Sequence, residues 1–168
     1  PGREGHFETS SPTMLEGYLD RPDWTAAAYT PDGWYRTGDL ARIDEAGFLH
    51  VTGRVKDVIN RGGEKIPVAE IEQLLHQHGA VKEVAIVAMP DPRLGERACA
   101  FVVPRAGATL DFLSLQRFLD ERRVAKPYWP ERLEVLESLP RTPSGKIQKF
   151  RLRERARTLV STPGAERP

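Results

Sequence analysis

Three separate stretches hold the residues best suited to chemistry: a lysine, a carboxylate and a pair of glycines. Lys146 ends the run Leu139-Pro140-Arg141-Thr142-Pro143-Ser144-Gly145-Lys146. Two prolines and a glycine predict an ordered loop, and a lysine on a stiff loop can bring a point charge to a phosphate or a carboxylate. The run is not a P-loop, because the earlier glycine and the Ser/Thr after the lysine are absent. A Gly-Lys pair alone is a weak signal, since most surface lysines do nothing specific. Asp39 follows Tyr35-Arg36-Thr37-Gly38. It reads either as a turn former bonded to its own backbone or as a fixed carboxylate accepting protons from two ribose hydroxyls. Gly62 and Gly63 follow the charged run Gly53-Arg54-Val55-Lys56-Asp57-Val58-Ile59-Asn60-Arg61. Adjacent glycines allow positive φ and close approach of backbone to a ligand. The stretch reads either as a solvated hairpin or as a polar joint between domains, with a loop that touches a ligand.

Other reactive types carry less. Cys99 lies in an apolar run and reads as a small core residue, with no cation placed locally to activate it. His76 and His78 read as surface residues at a helix end, since no Cys or acid joins them at zinc-like spacing. No metal site is expected within the chain.

Composition narrows the class. The 168 residues fit one domain, or one domain and a piece of another. A hydrophobic fraction of 39% is enough for a packed core, and a net charge of +1 names no partner. Charge is uneven, however: from Arg141 to Arg157 there are seven Lys or Arg and one acid, Glu154. That segment suits an anionic partner or a solvated face. Nucleic acid is not expected, because no aromatic-basic platform or groove-reading motif accompanies it. No apolar run is long enough to span a bilayer. One cysteine permits no disulfide within the chain, which fits a reducing, cytoplasmic location. The start Pro-Gly-Arg-Glu-Gly has neither methionine nor apolar leader, so an internal fragment of a longer protein is expected.

The positioning elements follow from periodicity. Residues 1–33 are rich in Pro, Gly, Ser, Thr and Asp, with a short helix expected over Asp23–Tyr29 and a short strand or helical turn over Thr13–Leu19. A hairpin is predicted from Trp34–Ile43 and Phe48–Thr52 across the turn Asp44-Glu45-Ala46-Gly47. A helix is predicted over 67–79, with Pro67 at its first position and Gly79 as a left-handed C-cap. Val81–Met89 and Arg97–Val103 are continuous apolar strands, buried on both faces, separated by a turn at Pro90-Asp91-Pro92. Leu110–Arg122 is an amphipathic helix, Arg132–Leu136 a third strand, and Phe150–Val160 a basic helix. The class is α/β or α+β, a small mixed sheet flanked by helices, with a tail at 161–168 expected to be disordered.

Taken together, Tyr35-Arg36-Thr37-Gly38-Asp39, then Gly53-Arg54-Val55-Lys56-Asp57 with Gly62-Gly63-Glu64, then Pro140-Arg141-Thr142-Pro143-Ser144-Gly145-Lys146 closely resemble late motifs of the adenylate-forming enzymes. That superfamily includes acyl-CoA synthetases and peptide-synthetase adenylation domains. The resemblance runs from about Pro12 to about Ala156, in matching order and spacing. It implies that residues 1–53, including the hairpin, are the end of a large N-terminal domain and residues 54–160 a small mobile C-terminal domain. It implies a reaction in two halves: a carboxylate attacks the α-phosphate of ATP, and a thiol then attacks the acyl-adenylate and releases AMP.

The roles implied are residue by residue. Asp39 resembles the acid that binds the ribose hydroxyls, and Arg54 a cation near ribose and phosphate. Lys146 resembles the catalytic lysine that bridges the attacking carboxylate and the α-phosphate. Lys56 stands at the hinge, where some relatives carry Asp. Gly62 and Gly63 resemble the place where the pantetheine arm of CoA passes the backbone. Mg²⁺ and the acyl pocket are implied upstream of residue 1, so the chain alone is expected to be inactive. The loop at Lys146 also resembles sites modified by lysine acetyltransferases. The runs Ile66–Glu72, Leu94–Ala100 and Thr142–Lys149 look most like bacterial fatty-acid or alicyclic-acid CoA ligases, cyclohexanecarboxylate ligases among them. Ile59–Lys65 also resembles aryl-acid adenylating enzymes that load a carrier protein in siderophore assembly. A binding module without catalysis is the reading of another class.

Overall fold

The computed structural model describes residues 2–160, so the tail expected at 161–168 lies outside the described residues. The chain divides into two compact units, Pro1–Lys56 and Asp57–Pro168.

In the first unit β1 (Gly5–Thr9), β2 (Tyr35–Ile43) and β3 (Leu49–Arg54) form an antiparallel sheet in that order, with helix α1 (Pro22–Ala28) between β1 and β2. The β2–β3 hairpin is the one the sequence predicts. Its turn is tied by Asp44, whose Oδ1 accepts the amides of Ala46 at 3.0 Å and Phe48 at 2.9 Å. Strand β1 is new: a stretch with so few apolar residues gives no period to read, and backbone pairing with β2 makes it a strand. Thr13–Leu19 forms neither strand nor helix. Ala41 alone is buried among the described residues of this unit, while Leu19, Phe48 and Val51 are largely exposed.

The second unit holds β4 (Ile59–Arg61), β5 (Glu64–Ile66), α2 (Val68–Leu75), β6 (Val81–Asp91), β7 (Gly95–Pro104), α3 (Phe112–Glu121), β8 (Arg132–Val135) and α4 (Lys149–Val160). The sheet runs β5-β4-β7-β6, and β8 lies parallel to β7. It is the expected mixed sheet flanked by helices. Alternation along β6 and β7 serves two cores. Val84, Ile86, Ala100 and Val102 pack with Ile71 and Leu75 of α2 and Leu115 and Leu119 of α3. Ala85, Val87, Cys99 and Phe101 pack with Leu139 and with Leu152 and Ala156 of α4. Strands covered on both sides read as unbroken apolar runs, and these do.

Three local expectations are corrected. Pro67 precedes α2 as its N-cap, and the helix stops at Leu75 with His76 as C-cap, so Gly79 is no left-handed cap. Successive turns replace that cap: the Gln77 amide donates to Leu74 O at 2.9 Å and the His78 amide to Leu75 O at 3.1 Å. They satisfy the late carbonyls of the helix. His78 is half-buried, its ring edge-on to Phe118 at 5.0 Å. The turn at Pro90-Asp91-Pro92 moves onward: β6 continues through Asp91, whose Oδ1 accepts the amides of Leu94 and Arg93. Those bonds, Leu94's foremost, hold the Asp91 carboxyl below the usual carboxylate range. The basic face of α4 is also partly spent. Lys149 lies 2.7 Å from Glu72 and Arg153 lies 2.8 Å from Asp57.

Two outcomes are expected. Phe101 is fully buried, so Phe101→Ala should destabilise the second unit by about 3–5 kcal/mol, read by denaturant unfolding. Burial pushes the Cys99 thiol up to about 12. Peptide-resolved alkylation at mildly alkaline pH should therefore leave Cys99 unmodified in the folded protein and label it on unfolding; labelling in the folded state would contradict the packing.

Candidate functional site

In the first unit the backbone, more than any cap or turn, aims Asp39. Between His6↔Leu40 and Glu8↔Arg36 the register of β1 and β2 shifts, so Thr37-Gly38-Asp39 bulges out of the ladder. Gly38 has φ +76, a conformation that favours glycine. Thr37 pins the bulge: its Oγ1 donates to Phe7 O at 2.8 Å and accepts the Asp39 amide at 3.1 Å. Bulges re-aim side chains, and here Asp39 is aimed at β3, where its register partner is Arg54. Arg54 Nε lies 2.9 Å from Asp39 Oδ1; Asp39 is half-buried and Arg54 exposed. The structure thus brings together the two residues expected at ribose and phosphate. Sequence reasoning missed Thr37, although a hydroxyl two residues before a fixed acid, next to a glycine, was a readable signal.

Lys56 is exposed, in a 3-10 turn over Val55–Asp57, and the two units divide between Lys56 and Asp57. Next comes the β4–β5 hairpin, with Arg61 paired to Glu64 across Gly62 and Gly63. Both glycines have positive φ, +61 and +95, as the tight hairpin turn requires. The Gly62 amide donates to Leu94 O at 2.8 Å and the Gly63 amide to Asn60 Oδ1 at 2.9 Å. The two glycines differ in surroundings. A Cβ on Gly62 would sit 3.2 Å from Leu94, whereas one on Gly63 would meet nothing within 4 Å. Gly63 therefore leaves a backbone face that is open among the described residues. Asn60, which ties the turn, was also missed.

Lys146 lies on the loop between β8 and α4. Leu139 is buried at one foot of the loop and Ile147 packs against the same core at the other. An isolated bridge joins Arg141 and Ile147, and the Gln148 amide donates to Pro140 O at 2.8 Å. The tip is a turn in which the Gly145 amide donates to Thr142 O and the Thr142 amide to Lys146 O, both at 2.9 Å. Thr142 Oγ1 accepts the Lys146 amide at 3.1 Å and lies 2.9 Å from Ser144 Oγ. The stiff loop read from the prolines is therefore also cross-tied by a threonine. The Lys146 side chain is exposed, and among the described residues no carboxylate pairs with its ammonium. An ammonium held out in this way can meet an external anion without first breaking a salt bridge. No hydrogen bond joins this loop to the Gly62-Gly63 turn among the described residues. The described residues contain no group of three or more His, Cys, Asp or Glu able to hold a metal ion.

Comparison with known proteins places this geometry. Residues 70–146 match the family described as the AMP-binding enzyme C-terminal domain. The chain is 49% identical over 155 residues to a medium-chain fatty-acid–CoA ligase of Escherichia coli K12, covering 92% of this chain and 27% of that protein. It is 46% identical over 154 residues to a 2,3-dihydroxybenzoate-AMP ligase of Bacillus subtilis 168, covering 92% and 28%. The crystal structure of ATP-bound MatB from Rhodopseudomonas palustris superposes with a TM-score of 0.87 at 35% identity, covering 94% of this chain and 31% of that one. The chain thus spans little more than a quarter of the length of these curated relatives. The motifs, the mixed sheet and these matches agree: the chain carries an AMP-binding enzyme C-terminal domain and belongs with the C-terminal portion of the adenylate-forming enzymes.

Proposed function

We propose that this chain is the C-terminal part of an ATP-dependent carboxylate–CoA ligase, acting on a fatty or alicyclic acid. One carboxylate oxygen attacks the α-phosphate of ATP; the α–β bridge bond breaks, pyrophosphate leaves and an acyl-adenylate remains. The CoA thiol, losing its proton, then attacks the acyl carbon, and AMP leaves as the thioester forms. The observation that carries the reading is the Lys146 loop: a cross-tied turn holding out an ammonium that no carboxylate pairs with among the described residues. Two anions must meet in the first step, and a fixed cation between them lowers the barrier by charge and by position. Asp39 would accept the ribose hydroxyls, with Arg54 beside it toward ribose and phosphate. Gly63, with Gly62, would let the pantetheine arm lie against the turn. Rotation about Lys56 would exchange the two faces between the half-reactions. Mg²⁺, which neutralises ATP phosphates, would be held by residues outside this chain. Acetylation of Lys146 would delete its charge and silence the first step.

A second reading has a specific support, the 46% identity to the 2,3-dihydroxybenzoate-AMP ligase. In this reading the acid is aromatic and the thiol belongs to a carrier protein. The two readings share the first half-reaction and differ in the acceptor.

The test uses the full-length protein with a panel of carboxylic acids. Lys146→Ala should slow adenylate formation by about 10²-fold or more, measured by pyrophosphate exchange, and should leave thioester formation from supplied acyl-adenylate nearly unchanged. Gly63→Ala should do the reverse, slowing the thiol step more than adenylation. AMP release that depends on free CoA supports the CoA ligase; adenylation without a CoA product supports the carrier-protein reading. Wild-type adenylation by Lys146→Ala would refute the role of Lys146.

A further inference from the structure

The Gly145–Lys146 peptide is held on both sides by side chains, and one of the two holds comes from outside the turn. Lys146 donates its amide to Thr142 Oγ1 at 3.1 Å. The Gly145 carbonyl accepts from Arg141 Nη1 at 2.5 Å. The same guanidinium donates from Nη2 to Glu83 Oε2 at 2.7 Å. Glu83 belongs to β6, paired with Val103 of β7 in the sheet. We infer that Arg141 and Glu83 form a clamp that fixes the Gly145–Lys146 peptide against the sheet and so aims the Lys146 ammonium. The inference rests on the role proposed for Lys146.

A peptide next to glycine is easily reoriented, because glycine tolerates both signs of φ. Gly145 has φ +85, and a Cβ there would meet nothing within 4 Å. Packing therefore does not restrain this peptide; hydrogen bonds must. The Thr142 bond moves with the turn, since Thr142 is part of it. Arg141 instead refers the peptide to a strand that pairs along ten register positions with β7. The guanidinium suits the task, because its nitrogens form a rigid planar fork. Anchoring Nη2 on Glu83 sets the direction of Nη1, and a lysine could not hold two acceptors at a fixed angle. As an exposed ion pair, Arg141–Glu83 adds little to stability. Its consequence is orientation: a reacting group displaced by about 1 Å can lose about 10²-fold in rate. Arg141 is thus a positioning residue, acting through Lys146, and Glu83 acts through Arg141.

The experiment compares Arg141→Ala, Glu83→Ala, the double variant and Lys146→Ala in the full-length protein. Pyrophosphate exchange reads the first half-reaction, and thioester formation from supplied acyl-adenylate reads the second. Arg141→Ala should slow adenylation by about 10- to 100-fold, mostly in kcat, with the second half-reaction and the melting temperature preserved. Glu83→Ala should give a smaller loss of the same kind. The double variant should be no slower than Arg141→Ala, since both act through one contact. Three results would overturn the clamp: wild-type adenylation by Arg141→Ala; a raised KM for ATP in Arg141→Ala with Glu83→Ala unaffected, which marks direct substrate contact; or parallel loss of both half-reactions with the melting temperature, which marks a purely structural role. Lys146→Ala separates this failure from that of the proposed function. Adenylation untouched in Lys146→Ala overturns both; adenylation abolished there but normal in Arg141→Ala overturns the clamp alone.

Discussion

The second unit depends on one long antiparallel pairing, β6 with β7, from Val81↔Pro104 to Asp91↔Gly95. Its central residues are buried on both faces, so a slip of one residue would exchange the two cores. Val84 and Ile86 would leave the α2–α3 side, and Ala85 and Val87 would leave the α4 side. The cores differ in volume and partners, with Phe101 and Met89 on one side and the paired leucines of α3 on the other. That difference fixes the register. The outer edge of β6 is also guarded. Glu72 accepts the Ile86 amide at 2.6 Å while pairing with Lys149 at 2.7 Å, which ties α2, β6 and the start of α4 to a single carboxylate.

Both candidate loops of this unit hang from that pairing. The Lys146 loop is rooted by Leu139 and Ile147 in the core under α4 and is steadied by Glu83 from β6. The Gly62-Gly63 turn is rooted by Ile59 and Ile66 in the opposite core and tied to Leu94 at the β6–β7 turn. Arg61 adds a two-nitrogen contact to Glu131, whose oxygens raise the guanidinium's hold on its proton. Rigid roots and exposed tips are what a site for charged ligands requires: the scaffold bears the cost of ordering, and the ligand meets groups already in place.

The first unit solves its placement differently. It has almost no buried apolar surface among its described residues, so packing cannot aim Asp39. Backbone irregularity does so instead: a bulge at Thr37-Gly38-Asp39, tied by one hydroxyl, turns the carboxylate toward Arg54. The glycine in that motif serves the backbone, and the acid it positions is the candidate for chemistry.

Several features were legible in the sequence alone. The double-faced strands were, because short unbroken apolar runs rich in β-branched residues and followed by turn formers, such as Val84–Ala88, suit a covered sheet. So were the hairpin about Asp44–Gly47 and the helices α2, α3 and α4; Lys146, Asp39 and the two glycines stand out in the sequence as candidates, because each sits in a local pattern of turn formers and charge. Strand β1 was not legible, since Gly5–Thr9 is a strand only by virtue of β2 beside it. The end of α2 was misread at Gly79, because consecutive turns satisfied its carbonyls before a left-handed cap was needed. The cations of α4 could not be sorted either: Lys149 and Arg153 find their acids, Glu72 and Asp57, 77 and 96 residues away along the chain. The clamp has the same character, with Glu83 and Arg141 separated by 58 residues. Sequence specifies which groups are present and which local conformations they favour. Which distant carboxylate meets which cation, and so which charges stay free for a ligand, is set only when the sheet closes and brings remote strands and loops within hydrogen-bonding distance.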